Sequence, residues 1–212
     1  MTNPTPDFAA AVADGVKILS LGKALSPARP GLLAQRKDDG FVVGELRAGP
    51  IDADGVREIA QADAAGRTDA DTFPSEATSL LAAVFSARSD AAAVVLLRAP
   101  RLAAWGLSGR ALPVRYFQMF GYTKANEIPV ARATADDVSA ALASHGDAPA
   151  LLLGDGRVLI WGANAARAIR LVLSLEEAAH VTALADRLGG AKDYPATARE
   201  KIYASLQAQA RQ

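Results

Sequence analysis

No cysteine occurs in this 212-residue chain, so disulfides, thiolate metal sites and cysteine nucleophiles are all excluded. Histidine is nearly as scarce. His145 and His180 are the only two, which forbids a three-histidine metal site within one chain. Charge of one sign is not in excess either, since 23 Lys and Arg balance 23 Asp and Glu. Such a chain has no electrostatic footprint for a nucleic-acid backbone or an anionic membrane, both of which need clustered cations. Long apolar runs are missing too. The longest, Ala91 to Leu97, is far below the roughly 18 residues that cross a bilayer, and Met1 to Asp7 is polar and proline-bearing rather than signal-like. A soluble cytoplasmic protein without nucleic-acid or membrane partners is the expectation.

What is present is apolar bulk. At 50% apolar residues the chain is long enough for one sizeable core and too short for two. One domain over residues 1–212 is expected, with residues 1–7 outside its ordered part. Phe8 to Leu21 has helical spacing and is broken by Pro27, Pro30 and Gly31. Gln35 to Val43 reads as two strands about a polar turn at Lys37 to Gly40. Gly44 to Thr72 reads as loops around a short helix near Gly55 to Ala60. Leu80, Leu81, Val84 and Phe85 mark an amphipathic helix from Pro74 to Arg88 with Ser75 as its candidate cap.

Ala93 to Leu97 is continuously apolar, which suits a strand covered on both faces. Pro100 then opens a helix that Gly109 closes. Leu112 to Arg115 and Ile128 to Val130 are strands that Pro113 and Pro129 confine to edges or strand starts. A helix from Thr134 to Ser144, capped by Thr134 or Asp136, leads into Leu151. From Asn164 a long helix runs to Leu188, apolar around most of its circumference apart from a stripe at Arg167, Arg170, Ser174 and Glu177. Such breadth implies either a central helix or a surface shared with another subunit. Pro195 starts a last helix.

The stretch Leu151-Leu-Leu-Gly-Asp-Gly-Arg-Val-Leu-Ile-Trp-Gly162, followed by a helix ending at Gly189-Gly190, resembles the C-terminal part of the class II aldolase/adducin family. Three further motifs extend the resemblance over most of the chain. Gly31-Leu-Leu-Ala-Gln-Arg36 stands where the family typically has a Gly-Asn-x-Ser-x-Arg turn. Pro74-Ser75-Glu76 resembles its Ser-Ser-Glu segment, and Ala93-Val-Val-Leu-Leu-Arg-Ala-Pro100 its Val-Val-His-x-His-x-Pro strand. The resemblance implies an α/β fold, a three-layer α/β/α sandwich with a mainly antiparallel central sheet. It also implies a homo-oligomer, a tetramer in many members, and chemistry on small sugar-derived carbonyl compounds.

This chain departs from that family where the metal is held. Leu96 and Arg98 stand at the two histidine positions of the strand motif, and the third falls on Gly156 or, with a one-residue gap, on Asp155. Leu32 and Ala34 replace the Asn and Ser that would bind a substrate anion. Without imidazoles there is no Lewis acid to polarise a carbonyl. No metal and no cofactor are expected. The leading reading is a non-catalytic binding or structural homologue. The alternative is a lyase- or epimerase-type enzyme on a small carbonyl or acid substrate, in which Arg98 replaces the metal's charge and Glu76 is the base. Gly31, Arg36, Ser75 and Asp155 are the candidate substrate-binding residues. A plainer role for Arg98 is pairing with Glu76 or Asp155. His145 reads as a surface-loop residue and His180 as packed or interfacial. Trp105 and Trp161 read as core or contact aromatics, and Tyr116, Tyr122 and Tyr203 as candidates to line a cleft.

Overall fold

The computed structural model describes residues 6–25, 28–48, 59–68 and 73–209. Its strands are β1 (Gly31–Lys37), β2 (Gly40–Leu46), β3 (Ile59–Asp63), β4 (Ala93–Leu97), β5 (Leu112–Pro113), β6 (Glu127–Ile128), β7 (Val130–Ala131), β8 (Ala150–Leu153) and β9 (Val158–Gly162). Seven of them form the central sheet in the order β3, β2, β1, β4, β9, β8, β7, while β5 and β6 make a separate two-stranded ribbon. Every pairing in the central sheet is antiparallel except β7 with β8. Helices cover both faces, so the mixed α/β sandwich implied by the family resemblance is the observed architecture.

The strands are apolar on both sides, as a sheet between two helical layers requires. Alternate residues therefore enter different cores. Ala93, Val95 and Leu97 of β4, with Val158 and Ile160 of β9, pack with α1 (Pro6–Leu21), α3 (Pro100–Leu107) and α5 (Ala165–Arg187). Val94 and Leu96, with Leu159 and Trp161, pack with α2 (Ser75–Ala87) and α4 (Ala135–Ser144). All five residues of β4 are buried. α6 (Ala196–Gln209) lies against a short 3-10 turn at Phe117–Gly121, where the Arg199 guanidinium stands over the Phe120 ring, 5.2 Å from its centroid.

Several expectations hold residue for residue. Thr134 Oγ1 accepts from Asp137 N at 3.2 Å and caps α4. Asn164 Oδ1 accepts from Arg167 N at 2.8 Å and caps α5. Gly109, at φ +66°, ends α3. Both tryptophans are buried. α5 is central to its layer, touching α1, α3 and the sheet, while Val181, Leu184 and Leu188 at its far end are exposed.

Others need correction. Gly31 to Arg36 is strand rather than turn, because β2 and β4 pair with it on either side. Ile59 and Ala60 begin β3 rather than ending a helix; alternate burial of Ala60 and Ala62 and pairing with β2 override the helical leaning of an alanine-rich stretch. Residues 49–58 lie outside the described residues, as do 1–5, and α1 starts at Pro6. Ser75 is the first helical residue of α2, whose cap position is Pro74 without a side-chain bond. His180 is exposed rather than packed. Tyr116 and Tyr122 pack on the α5 side of the sheet, and Lys124 stands over the Tyr203 ring at 5.0 Å.

One buried carboxylate organises the start of α3. Its cap residue is Ala99, which offers no side-chain acceptor, and Pro100 has no N–H to satisfy. Glu176 from α5, 2% exposed, fills that gap. Its Oε1 accepts from Arg101 N at 2.9 Å and Leu102 N at 2.8 Å. Burial raises its pKa from the ordinary 4.5, against the opposing pull of those two amides and of Arg101. Because the folded value exceeds the unfolded one, this group's stabilising contribution is complete below pH 4.5 and is lost as pH rises through the folded value.

Two outcomes follow for denaturant unfolding. Glu176→Ala, which orphans two amides, is expected to cost about 2–3 kcal/mol. Glu176→Gln keeps an acceptor, so the wild type should lose stability relative to it as pH climbs above 4.5; parallel pH profiles would show that Glu176 does not titrate differently on folding.

Candidate functional site

Arg98 is the first residue beyond β4, just before α3. Beside it runs the turn joining β8 to β9. Gly156, at φ +84°, donates its N–H to Leu153 O at 2.9 Å, and Leu153 N donates to Arg157 O at 2.8 Å. Only glycine adopts that backbone without strain. Asp155 turns back onto the loop, its Oδ1 accepting from Arg157 N at 2.9 Å and its Oδ2 from Arg157 Nε at 2.6 Å. The other arm of the Arg157 guanidinium donates to Glu76 Oε1, at the first turn of α2. Arg157 thus ties the β8–β9 turn to α2.

Arg98 takes no part in that network. A side-chain carbon at position 156 would lie 2.9 Å from Arg98 Nη1 and 3.2 Å from Leu107 Cγ, so guanidinium and leucine occupy the space over the glycine. Among the described residues Arg98 has no hydrogen-bond or ion-pair partner. It is half-buried. No buried side-chain nitrogen or oxygen lacks a partner among the described residues, so the donors of Arg98 open to solvent.

The structure brings Gly31, Ser75, Glu76, Arg98 and Asp155 to one end of the sheet. Gly31 packs so closely on β4 that a Cβ there would sit 2.7 Å from Leu97 Cβ. Ser75 and Glu76 are exposed at the start of α2. Arg36 is elsewhere. It lies five residues along β1 from Gly31, about 17 Å away at strand rise, and its guanidinium donates to the carbonyls of Ala91, Phe85 and Arg88. A cation on the last carbonyls of α2 is a helix-end cap. The partner of Glu76 and Asp155 is Arg157 rather than Arg98. Sequence reasoning missed Arg157, whose signal was the Asp-Gly-Arg spacing, which allows an aspartate to hold the amide and side chain two residues on.

The sequence profile of the Class II Aldolase and Adducin N-terminal domain matches residues 46–183, well over half of the chain. The chain belongs to this family. Its fold is similar to that of an L-fuculose 1-phosphate aldolase, with TM-score 0.77 and 17% identity over 96% of this chain and 97% of the other. The L-fuculose 1-phosphate aldolase from Glaciozyma antarctica PI12 gives 0.74 and 15% over 97% and 85%. The enzyme of the same name from Thermus thermophilus gives 0.69 and 19% over 90% and 100%. No curated protein matches the sequence. At such identities the likeness is one of fold.

The family's metal does not fit the residues at this end of the sheet. Positions 98 and 156 face one another, as two ligands of one ion must, but they carry a guanidinium and a glycine. Leu96 is 3% exposed and part of the α2–α4 core. Among the described residues no three of His, Cys, Asp and Glu come together as a metal site. His145 Nδ1 lies 3.0 Å from Ala141 O at the end of α4, and a divalent ion beside Arg98 would meet repulsion of about 4 kcal/mol or more at 4 Å.

The facing of 98 and 156 is open to a double-mutant cycle. Gly156→Ala should destabilise the wild type by about 1–2 kcal/mol from the backbone, with a further share from displacing Arg98. In an Arg98→Ala background the Arg98 share should vanish, leaving the backbone cost and the contact with Leu107. Equal costs in both backgrounds, read from urea denaturation, would show that the two positions do not touch.

Proposed function

We propose that this protein is a non-catalytic binding member of the class II aldolase and adducin family, in which Arg98 stands at the end of β4 where the family resemblance would place a metal ion. The observation that carries this reading is the double pairing of Arg157. It pairs with both Asp155 and Glu76, so the two carboxylates described at this end of the sheet already share one cation of the chain itself. Arg98 over Gly156 supplies a further positive charge in the same place.

A catalytic reading rests on a specific observation too. Arg98 is free to act as an electrophile toward a small sugar-derived carbonyl or acid, with Glu76 as base. Against it stands the geometry of Glu76, whose Oε1 already accepts from Arg157; base catalysis would require that pair to open. No helix among the described residues is long and apolar enough to cross a membrane. The family resemblance supports a cytoplasmic homo-oligomer, and exposed Val181, Leu184 and Leu188 support self-association, which sedimentation velocity reads directly.

The sugar phosphate for which the structural relatives are named provides the test. Purified protein incubated with L-fuculose 1-phosphate and zinc, manganese or cobalt is expected to release no aldehyde, and metal analysis after desalting should find far less than one ion per chain. Stoichiometric metal together with cleavage would overturn the proposal.

A further inference from the structure

We propose that the Arg98 end of β4 binds a small organic monocarboxylate, with its carboxylate on the guanidinium and its apolar part against Leu107. The inference rests on reading this end of the sheet as a metal-free site, and adds what binds there. Three observations select the ligand's chemistry.

The first is availability. Of the cations gathered here, Arg157 is committed to Asp155 and Glu76, whereas Arg98 has no partner among the described residues and its donors reach solvent. Gly156 leaves bare backbone beneath Nη1, so the guanidinium rests against the turn. A planar fork matches the two oxygens of a carboxylate.

The second observation separates a carboxylate from a phosphate. α3 begins two residues after Arg98, and a helix start beside a cation is a common phosphate cradle. Here that start is occupied. The amides of Arg101 and Leu102 both donate to buried Glu176, so no array of N–H groups remains at α3 for three more oxygens. Leu32 is buried in the sheet as well and offers no donor. Charge points the same way: Asp155 and Glu76 share the one charge of Arg157 and flank the turn, so a dianion would meet more repulsion here than a monoanion.

The third is the apolar neighbour of the guanidinium. Leu107 is 62% exposed although its Cγ approaches the same point over Gly156 as the guanidinium does. An aliphatic group attached to the carboxylate would cover that leucine, removing apolar surface from water.

Isobutyrate is a suitable probe, with isobutyramide as its neutral isostere and inorganic phosphate as the competing anion. In calorimetric titrations of the full chain, isobutyrate should bind, and the other two should bind at least about tenfold more weakly. Arg98→Met should abolish the isobutyrate signal, and Arg98→Lys, which keeps charge without the fork, should weaken it. Leu107→Ser should weaken isobutyrate but leave formate unchanged. Circular dichroism checks that each variant is folded; if Arg98→Met is not, Arg98→Lys carries the comparison. No isobutyrate binding, unchanged binding in the Arg98 variants, or phosphate binding as tightly would overturn the proposal. Zinc retained by the unmodified protein would instead remove the metal-free reading beneath it, so the two failures are distinguishable.

Discussion

β4 has no side of its own that faces water. Its five residues are buried, alternately against the α1, α3, α5 layer and the α2, α4 layer. A strand in that position cannot carry polar chemistry along its length, because an unpaired polar group there would cost several kcal/mol in desolvation. Chemistry is displaced to its end. Arg98 is the first residue past the last buried one, and the turn from Gly154 to Arg157 is the neighbouring end of the β8–β9 hairpin. The location of the candidate site follows from the burial of this strand rather than from any one polar residue.

Holding that end open requires support from both layers. On one side Glu176 ties α5 to the start of α3, setting where the chain goes immediately after Arg98. On the other Arg157 ties the turn to the start of α2. The two arginines therefore do different work with the same group. Arg157 is a strap, and its exposed carboxylate partner makes the bond a modest contribution to stability. Among the described residues Arg98 is a charge without a counterpart, placed where the family resemblance would put a metal ion. A divalent Lewis acid and a guanidinium share a sign but little else, since the guanidinium is planar, donates hydrogen bonds and leaves no open coordination position.

Much of the fold was legible in the chain because apolar spacing and end signals agreed. Thr134, Asn164 and Gly109 bound their helices as such residues do, and Ala93 to Leu97 lay between two layers as an uninterrupted apolar run should. The failures share a cause. Gly31 to Arg36 and Ile59 to Ala60 carry small or glycine residues whose local preference is weak, and pairing with neighbouring strands decided their conformation. In the site, the positions of Glu76, Arg98 and Asp155 were legible through motif spacing, while the pairing among them was not. Arg36 matched a motif and yet serves α2, because a side chain that long reaches whichever carbonyls the tertiary fold sets nearby.

By itself the sequence determined which residues stand at the family's ligand positions, and so that imidazole is absent from all of them, since covalent identity needs no folding to be read. It also determined the two-sided sheet, because period and burial are written in the order of apolar residues. Only the tertiary structure decided that Arg157 rather than Arg98 neutralises Glu76 and Asp155, and that Glu176, seventy-five residues from Arg101, closes the start of α3. Those are contacts between segments remote along the chain, and a hydrogen bond depends on ångström distances that local sequence preference does not encode.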